Sequence, residues 1–357
     1  METIKLFFCG DIMPGGVLPY QIKYMSNNLL DYMNTFDIRI GTLEAAIGTN
    51  LPFDPIKMKE RKNIIYAQDE DIYRIKEMKF DILSLANNHI FDLGEEGLKN
   101  TIRLLKKNNI KYCGAGLNID EASKPIVVEF SSVKIAFFSY CEYKGGHWEK
   151  IPIATEYTSG VNPLVIEKVL ADIQQAKKQY DYVIVLPHWG QEYKSKPTLK
   201  NIYQSYLMIK YGADAILGSH SHQIQPLIHY KNKYICYSMG NFLFPDFYIQ
   251  PPRPIFYPDK NADLSHIKDI YDYPLLIHKY VKRVWPGKSR FGYVLDFSII
   301  SKKIKIKKKL VKINKDNILN ESKIGILFYF ILLFYIVYIK MMLTLIAIRR
   351  NMKEIMP

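Results

Sequence analysis

Apolar residues fall along this chain in two alternating textures, short dense runs of Ile, Leu, Val and Phe and longer stretches in which they recur every three or four positions. The first texture predicts buried strands and the second amphipathic helices. Residues 4–9, 38–43 and 81–86 read as strands, with helices over 19–34, 69–79 and 93–108. Further strands are expected at 111–113, 126–130, 134–140, 182–186 and 215–217. Helices are expected at 163–179, opening on Asn162-Pro163 as cap and first helical position, and at 199–211. Strands at 227–230 and 234–237 turn about Lys231-Asn232-Lys233, and 291–300 with 301–313 reads as a closing hairpin. Residues 245–290, rich in Pro, Tyr and Asp, read as an irregular insertion. The alternation predicts an α/β architecture.

Residues 324–348 form a different pattern, apolar on every side except for a few Gly, Thr and Tyr and one charge, Lys340. About 20 such residues cross a bilayer, so a transmembrane helix is expected there, followed by a short tail at 349–357. Lys302, Lys303, Lys305, Lys307, Lys308, Lys309, Lys312, Lys315 and Lys323 precede it, and only Arg349, Arg350 and Lys353 follow. This reads as a basic collar with 314–323 as a juxtamembrane linker. The positive-inside bias then places the large domain in the cytoplasm. The first apolar run passes straight into Gly10-Asp11, so it is expected to be a strand of the mature protein and not a leader.

Composition adds constraints. With 48% hydrophobic and 24% charged residues over 357 positions, the chain has the make-up of a folded protein. The net charge of +14 is concentrated in the collar, which favours a membrane surface over nucleic acid as partner. The four cysteines stand singly in or beside apolar runs, as buried free thiols do, and a reducing compartment fits them.

Chemistry enters at the strand ends. Asp11, Glu44, Asn88, His89, His188, His220 and His222 each follow a predicted strand, and in an α/β protein such ends converge on one crevice. Each alone reads equally as a turn residue, a cap or a loop charge. Together they place four of the eight histidines at strand ends. His220-Ser221-His222, read as extended, aims two imidazoles the same way, a spacing suited to one metal or to neighbouring metals.

The blocks Cys9-Gly10-Asp11-Ile12-Met13, Thr42-Leu43-Glu44, Leu85-Ala86-Asn87-Asn88-His89 with Asp92 and Gly94, His188-Trp189-Gly190-Gln191-Glu192-Tyr193, Gly218-Ser219-His220-Ser221-His222 and Ser238-Met239-Gly240-Asn241-Phe242 resemble the CapA family. That family is named for capsule and poly-γ-glutamate synthesis and is similar to calcineurin-like metallophosphoesterases. The resemblance covers about residues 4–313 and implies a four-layer αββα sandwich of the metallophosphoesterase type over 1–313.

It further implies one or two divalent metal ions of the Mn, Fe or Zn class. Asp11 and His222 would serve one and Asn88, His188 and His220 the other, with Glu44 bridging. His89 would donate a proton to the leaving oxygen, oriented by Asp92, and Glu192, Tyr193 and Asn241 would line the substrate pocket. Met13 departs from the Asp-x-His of phosphoesterases, and a thioether suits hard cations poorly, so the first metal position should be the weaker. An anionic substrate or polymer and membrane-bound polymer synthase subunits are the implied partners, with Arg253, Lys279, Lys282, Arg283, Lys288 and Arg290 of the insertion as candidate contacts. A general metal-dependent phosphoesterase and a non-catalytic assembly or export subunit remain as alternatives.

Overall fold

The computed structural model describes residues 3–130, 133–143, 151–271, 279–323 and 325–355. Two β-sheets lie face to face. The first runs in the order Leu319–Ser322, Lys303–Ile313, Phe291–Ile300, Ile4–Ile12, Ile38–Leu43, Ile82–Ser84 and Lys111–Cys113, with Asn241–Leu243 paired to the end of Ile4–Ile12. The second runs Leu227–Tyr230, Lys233–Cys236, Ala215–Leu217, Tyr182–His188, Val133–Cys141 and Ile126–Phe130. The middle of each sheet is parallel and the hairpins sit at the edges.

Strand Ile4–Ile12 shows why its sequence is almost continuously apolar. Leu6 and Phe8 face the second sheet, where Phe8 lies 6.2 Å from Phe137, while Phe7 and Cys9 face the helices. A parallel strand covered on both faces needs apolar residues on both. The helices outside the first sheet pack through Leu29, Met33, Ile75, Leu98, Ile102 and Leu105, and those outside the second through Val169, Ile173, Ile202 and Ile209. The result is the expected four-layer αββα sandwich, with one apolar core between the sheets and one under each helical layer.

Several local expectations are corrected. The long helix expected at 19–34 is a 3₁₀ turn at Leu18–Tyr20 and a helix only at Asn27–Met33. Asn162 does not cap the helix that follows; its amide donates to the Ser139 carbonyl, and the helix begins at Ile166. The lysine-rich segment forms the expected second strand of the closing hairpin, Lys303–Ile313, whose first lysines alternate with inward isoleucines, and Leu319–Ser322 of the expected linker is not free but pairs with it as the sheet edge. Lysines on an outward edge blunt further strand pairing.

The insertion is more regular than its composition suggested. Phe247–Ile249, Ile255–Phe256, Lys268–Ile270 and Val281–Arg283 form a small sheet of their own. It is tied to the body through Asp246, which pairs through both oxygens with Arg290 at 2.9 and 3.0 Å and also accepts from Asn317 and from the Trp285 N–H.

The C-terminal helix, Ile326–Ile355, carries one stretch, Phe328–Arg349, long and apolar enough by length and composition to cross a membrane. It lies along the helix Leu199–Lys210 and the strand Leu227–Tyr230, burying Leu332, Ile339 and Leu343. Phe330, Phe334, Val337 and Met341 on its other side remain exposed.

Candidate metal centre

Every strand-end residue singled out in the sequence arrives at one edge of the sandwich. Asp11 closes strand Ile4–Ile12 and His188 closes Tyr182–His188, while Glu44, Asn88, His220 and His222 follow the ends of their strands by a few residues. Parallel pairing brings these ends together, Asp11 sitting opposite both Thr42 and Asn241.

The ligand-type atoms form two groups in which all lie within 4.8 Å of one another, Glu44 with His188 and His220, and Glu44 with Asp11 and His222. Glu44 is common to both. Its Oε1 lies 3.5 Å from His188 Nε2 and 3.7 Å from His222 Nε2, and His222 Nδ1 lies 3.8 Å from Asp11 Oδ2. Asn88 Oδ1 is 2.8 Å from His188 Nε2, which is 3.1 Å from His220 Nδ1.

The two-histidine loop reaches this arrangement by a route opposite to the one its spacing suggested. His220 and His222 have φ of +96° and +51°, so the segment is not extended and the rings do not share a face. The turn sends His220 to His188 and His222 to Asp11, one to each group. Non-glycine residues at positive φ carry strain that persists where the surroundings hold it.

The electrostatics are those of a cation site. Asp11 and Glu44 are fully buried, and among the described residues Asp11 Oδ1 and both Glu44 oxygens have no hydrogen-bond donor. Burial pushes the Asp11 carboxyl up to about 7, against the bond it accepts from the His220 N–H. Glu44 is raised well above the usual range by burial and then by the Asp11 charge. Burial lowers His188 well below its ordinary value and His222 to about 3. Two desolvated carboxylates with three oxygens lacking donors, beside imidazoles held neutral, fit divalent cations.

Other residues hold these in place. His188 Nδ1 meets Ser219 Oγ at 2.8 Å, and His222 Nδ1 meets Asn241 Oδ1 at 2.9 Å. Asn241 is fully buried and its amide also donates to the Ser289 carbonyl, so it orients His222 and does not line the cavity. Trp285 of the insertion lies 4.9 Å from the His222 ring. Met13 packs beside Phe244 and Trp285, its sulfur accepting from the Gly15 N–H at 3.2 Å.

His89 stands in the wall of a cavity of about 220 Å³ that it shares with Asn88, His222, Glu192 and Tyr193. Its Nδ1 is 2.6 Å from Asp92 Oδ2, which also accepts from the Ile65 N–H. The other Asp92 oxygen pairs with Lys57, whose ammonium also donates to the Asn88 carbonyl at 2.6 Å. Lys57 carried no signal in the sequence, being one of two lysines in a short helix, Pro55–Lys59.

Of the described basic residues in the insertion, only Arg253 lines this cavity. Arg290 is committed to Asp246, Arg283 is buried over Trp285, Lys282 pairs with Asp269 and Lys288 lies over Phe328. A larger cleft, between Asp214 and Lys302–Ile304, is lined by residues at the opposite ends of the strands and holds none of these groups.

The model of the family described as "Bacterial capsule synthesis protein PGA_cap" matches residues 5–246. The capsule biosynthesis protein CapA of Bacillus anthracis is 31% identical over 261 residues, 68% of this chain and 60% of that protein. The PGA biosynthesis protein CapA of Bacillus subtilis (strain 168) is 34% identical over 249 residues, 68% of this chain and 64% of that protein. The chain thus spans less than two thirds of the length of either relative. Among solved structures, the calcineurin-like phosphoesterase YfkN from Bacillus subtilis aligns at 13% identity and a TM-score of 0.46, over 97% of this chain and 99% of that one.

Proposed function

The chain belongs to the PGA_cap family of bacterial capsule synthesis proteins, and on that premise we propose that it acts in capsule or poly-γ-glutamate biosynthesis, handling an anionic substrate at a two-metal centre. The observation that carries the reading is Glu44, one buried carboxylate shared by two ligand groups. Asp11 and His222 would hold one ion, and Asn88, His188 and His220 the other, of the Mn, Fe or Zn class. A bound pair supplies charge neutralisation and an activated water for displacement at a phosphoryl or acyl centre.

The chain's own residues do the rest. Asp92 fixes His89 by its Nδ1 and leaves Nε2 for a leaving group in the cavity, and Lys57 in turn holds Asp92. Asn241 and Ser219 orient the two histidines they touch. Trp285 and Tyr193 wall off the His222 side from water.

The test is metal analysis of the purified full chain with a hydrolysis screen covering γ-glutamyl peptides and phosphodiesters, with and without chelator. Two ions per chain, one released more readily, with chelator-sensitive turnover, support the reading. A chain that binds no divalent ion at micromolar concentration sinks it. A second reading, a phosphoesterase of broader range, is favoured by the His89–Asp92 pair; it expects phosphodiester turnover that disappears in His89→Ala.

The exposed face of the C-terminal helix is the attachment surface in this reading. Phe330, Phe334, Val337 and Met341 form an apolar strip that lipid would cover, with the large domain cytoplasmic and membrane-bound synthase subunits within reach.

A further inference from the structure

Glu192 is a half-buried carboxylate in the cavity wall, with no hydrogen bond or ion pair to it among the described residues. It lines the same cavity as Asn88, His89 and His222. Lys57, Lys62 and Arg283 act on it only through space, and burial alone carries its carboxyl up to about 7. A carboxylate that opens on a cavity and holds no protein partner is available to a ligand. Nor does Glu192 join either ligand group of the centre, so its charge is not spent on the metal.

The same cavity carries Lys57, Lys62 and Arg253. With Lys57 paired to Asp92, Lys62 and Arg253 suit an anionic ligand, yet a carboxylate beside them repels one and its own charge is felt by Glu44. A ligand of a single sign leaves that conflict standing. A ligand bearing an anionic group and, a few ångströms away, an ammonium resolves it, because each end meets a wall of opposite sign.

We propose that Glu192 accepts a substrate ammonium group, so that the cavity takes an amino-bearing anion, its anionic end toward Lys62 and Arg253. This rests on the reading of the strand-end cluster as the reactive centre, and it narrows the substrate to molecules with a free amine close to the group that reacts. Tyr193 holds Glu192 in place for this role: its N–H donates to the Ser221 carbonyl at 2.7 Å and its φ is +59°, which fixes the turn at the cavity edge.

The experiment uses the full chain in detergent with manganese and two matched pairs of probes, O-phosphoethanolamine against propyl phosphate and γ-glutamylglutamate against its N-acetyl form, with dissociation constants from calorimetry. In at least one pair the ammonium form should bind wild type about tenfold more tightly, the strength expected of a hydrogen bond to a charged group. Glu192→Gln should erase that preference while holding the ammonium-free partner as well as wild type or better, and Glu192→Asp should keep part of it.

Equal affinity within both pairs, a preference that survives Glu192→Gln, or no binding of either ammonium probe overturns the proposal. A preference confined to O-phosphoethanolamine supports the ammonium site while counting against a γ-glutamyl substrate. Metal content and melting temperature, read on each variant, report separately on the centre and on folding.

Discussion

Glu44 sits where a buried charge has no donor and two neighbouring acids or imidazoles on either side, an arrangement that costs stability while the centre lacks a cation. Glu44→Gln should therefore leave the metal-free protein as stable as wild type or more so, yet lose the stabilisation that manganese confers, about 2.7 kcal/mol at a hundredfold excess over the dissociation constant. Melting curves with and without the ion measure both. Asp11, carried up to about 7, is protonated at pH 6 in the empty site and ionised at pH 8.5, whereas His222, lowered to about 3, is neutral at both. Metal binding should thus release more protons at pH 6 than at pH 8.5, from the Asp11 side of the centre and none of them from His222; calorimetry in buffers of differing ionisation enthalpy checks this. Lys57→Met should remove the counter-charge of Asp92, lowering stability by about 3 kcal/mol and slowing any turnover that depends on His89, with metal content unchanged.

Among the elements, the parallel strands and the helices Gly94–Lys107 and Leu199–Lys210 were legible because periodicity and capping are local. Gly94–Lys107 buries Leu98, Ile102 and Leu105 on one face, with acids in its first turn and lysines in its last. The two-histidine loop was not legible, since an extended and a left-handed trace share the same three residues and only the positions of His188 and Asp11 decide between them. The insertion was misread for a related reason. Its order comes from the distant partners of Asp246, and Asp246→Ala should cost about 3 kcal/mol in chemical denaturation while loosening Trp285 from His222, visible as a change in tryptophan fluorescence.

On the scale of the whole molecule, the C-terminal helix packs one face on the second helical layer and leaves the other apolar and uncovered. The full chain should fractionate with membranes and resist alkaline carbonate extraction, and the large domain should survive protease added to intact cells. Solubility in carbonate would remove the anchor, and digestion from outside would reverse the orientation. By itself, the sequence determined the alternating elements and the identity of the strand-end residues, because apolar periodicity and residue chemistry are properties of neighbours along the chain, while the sandwich was implied by the family resemblance. Only the tertiary structure decided that Lys57 backs Asp92, that Asn241 meets His222, and that Leu319–Ser322 closes the sheet edge beside the lysine-rich strand. Those are distances between separate segments of the chain, set by how the two sheets close on their cores.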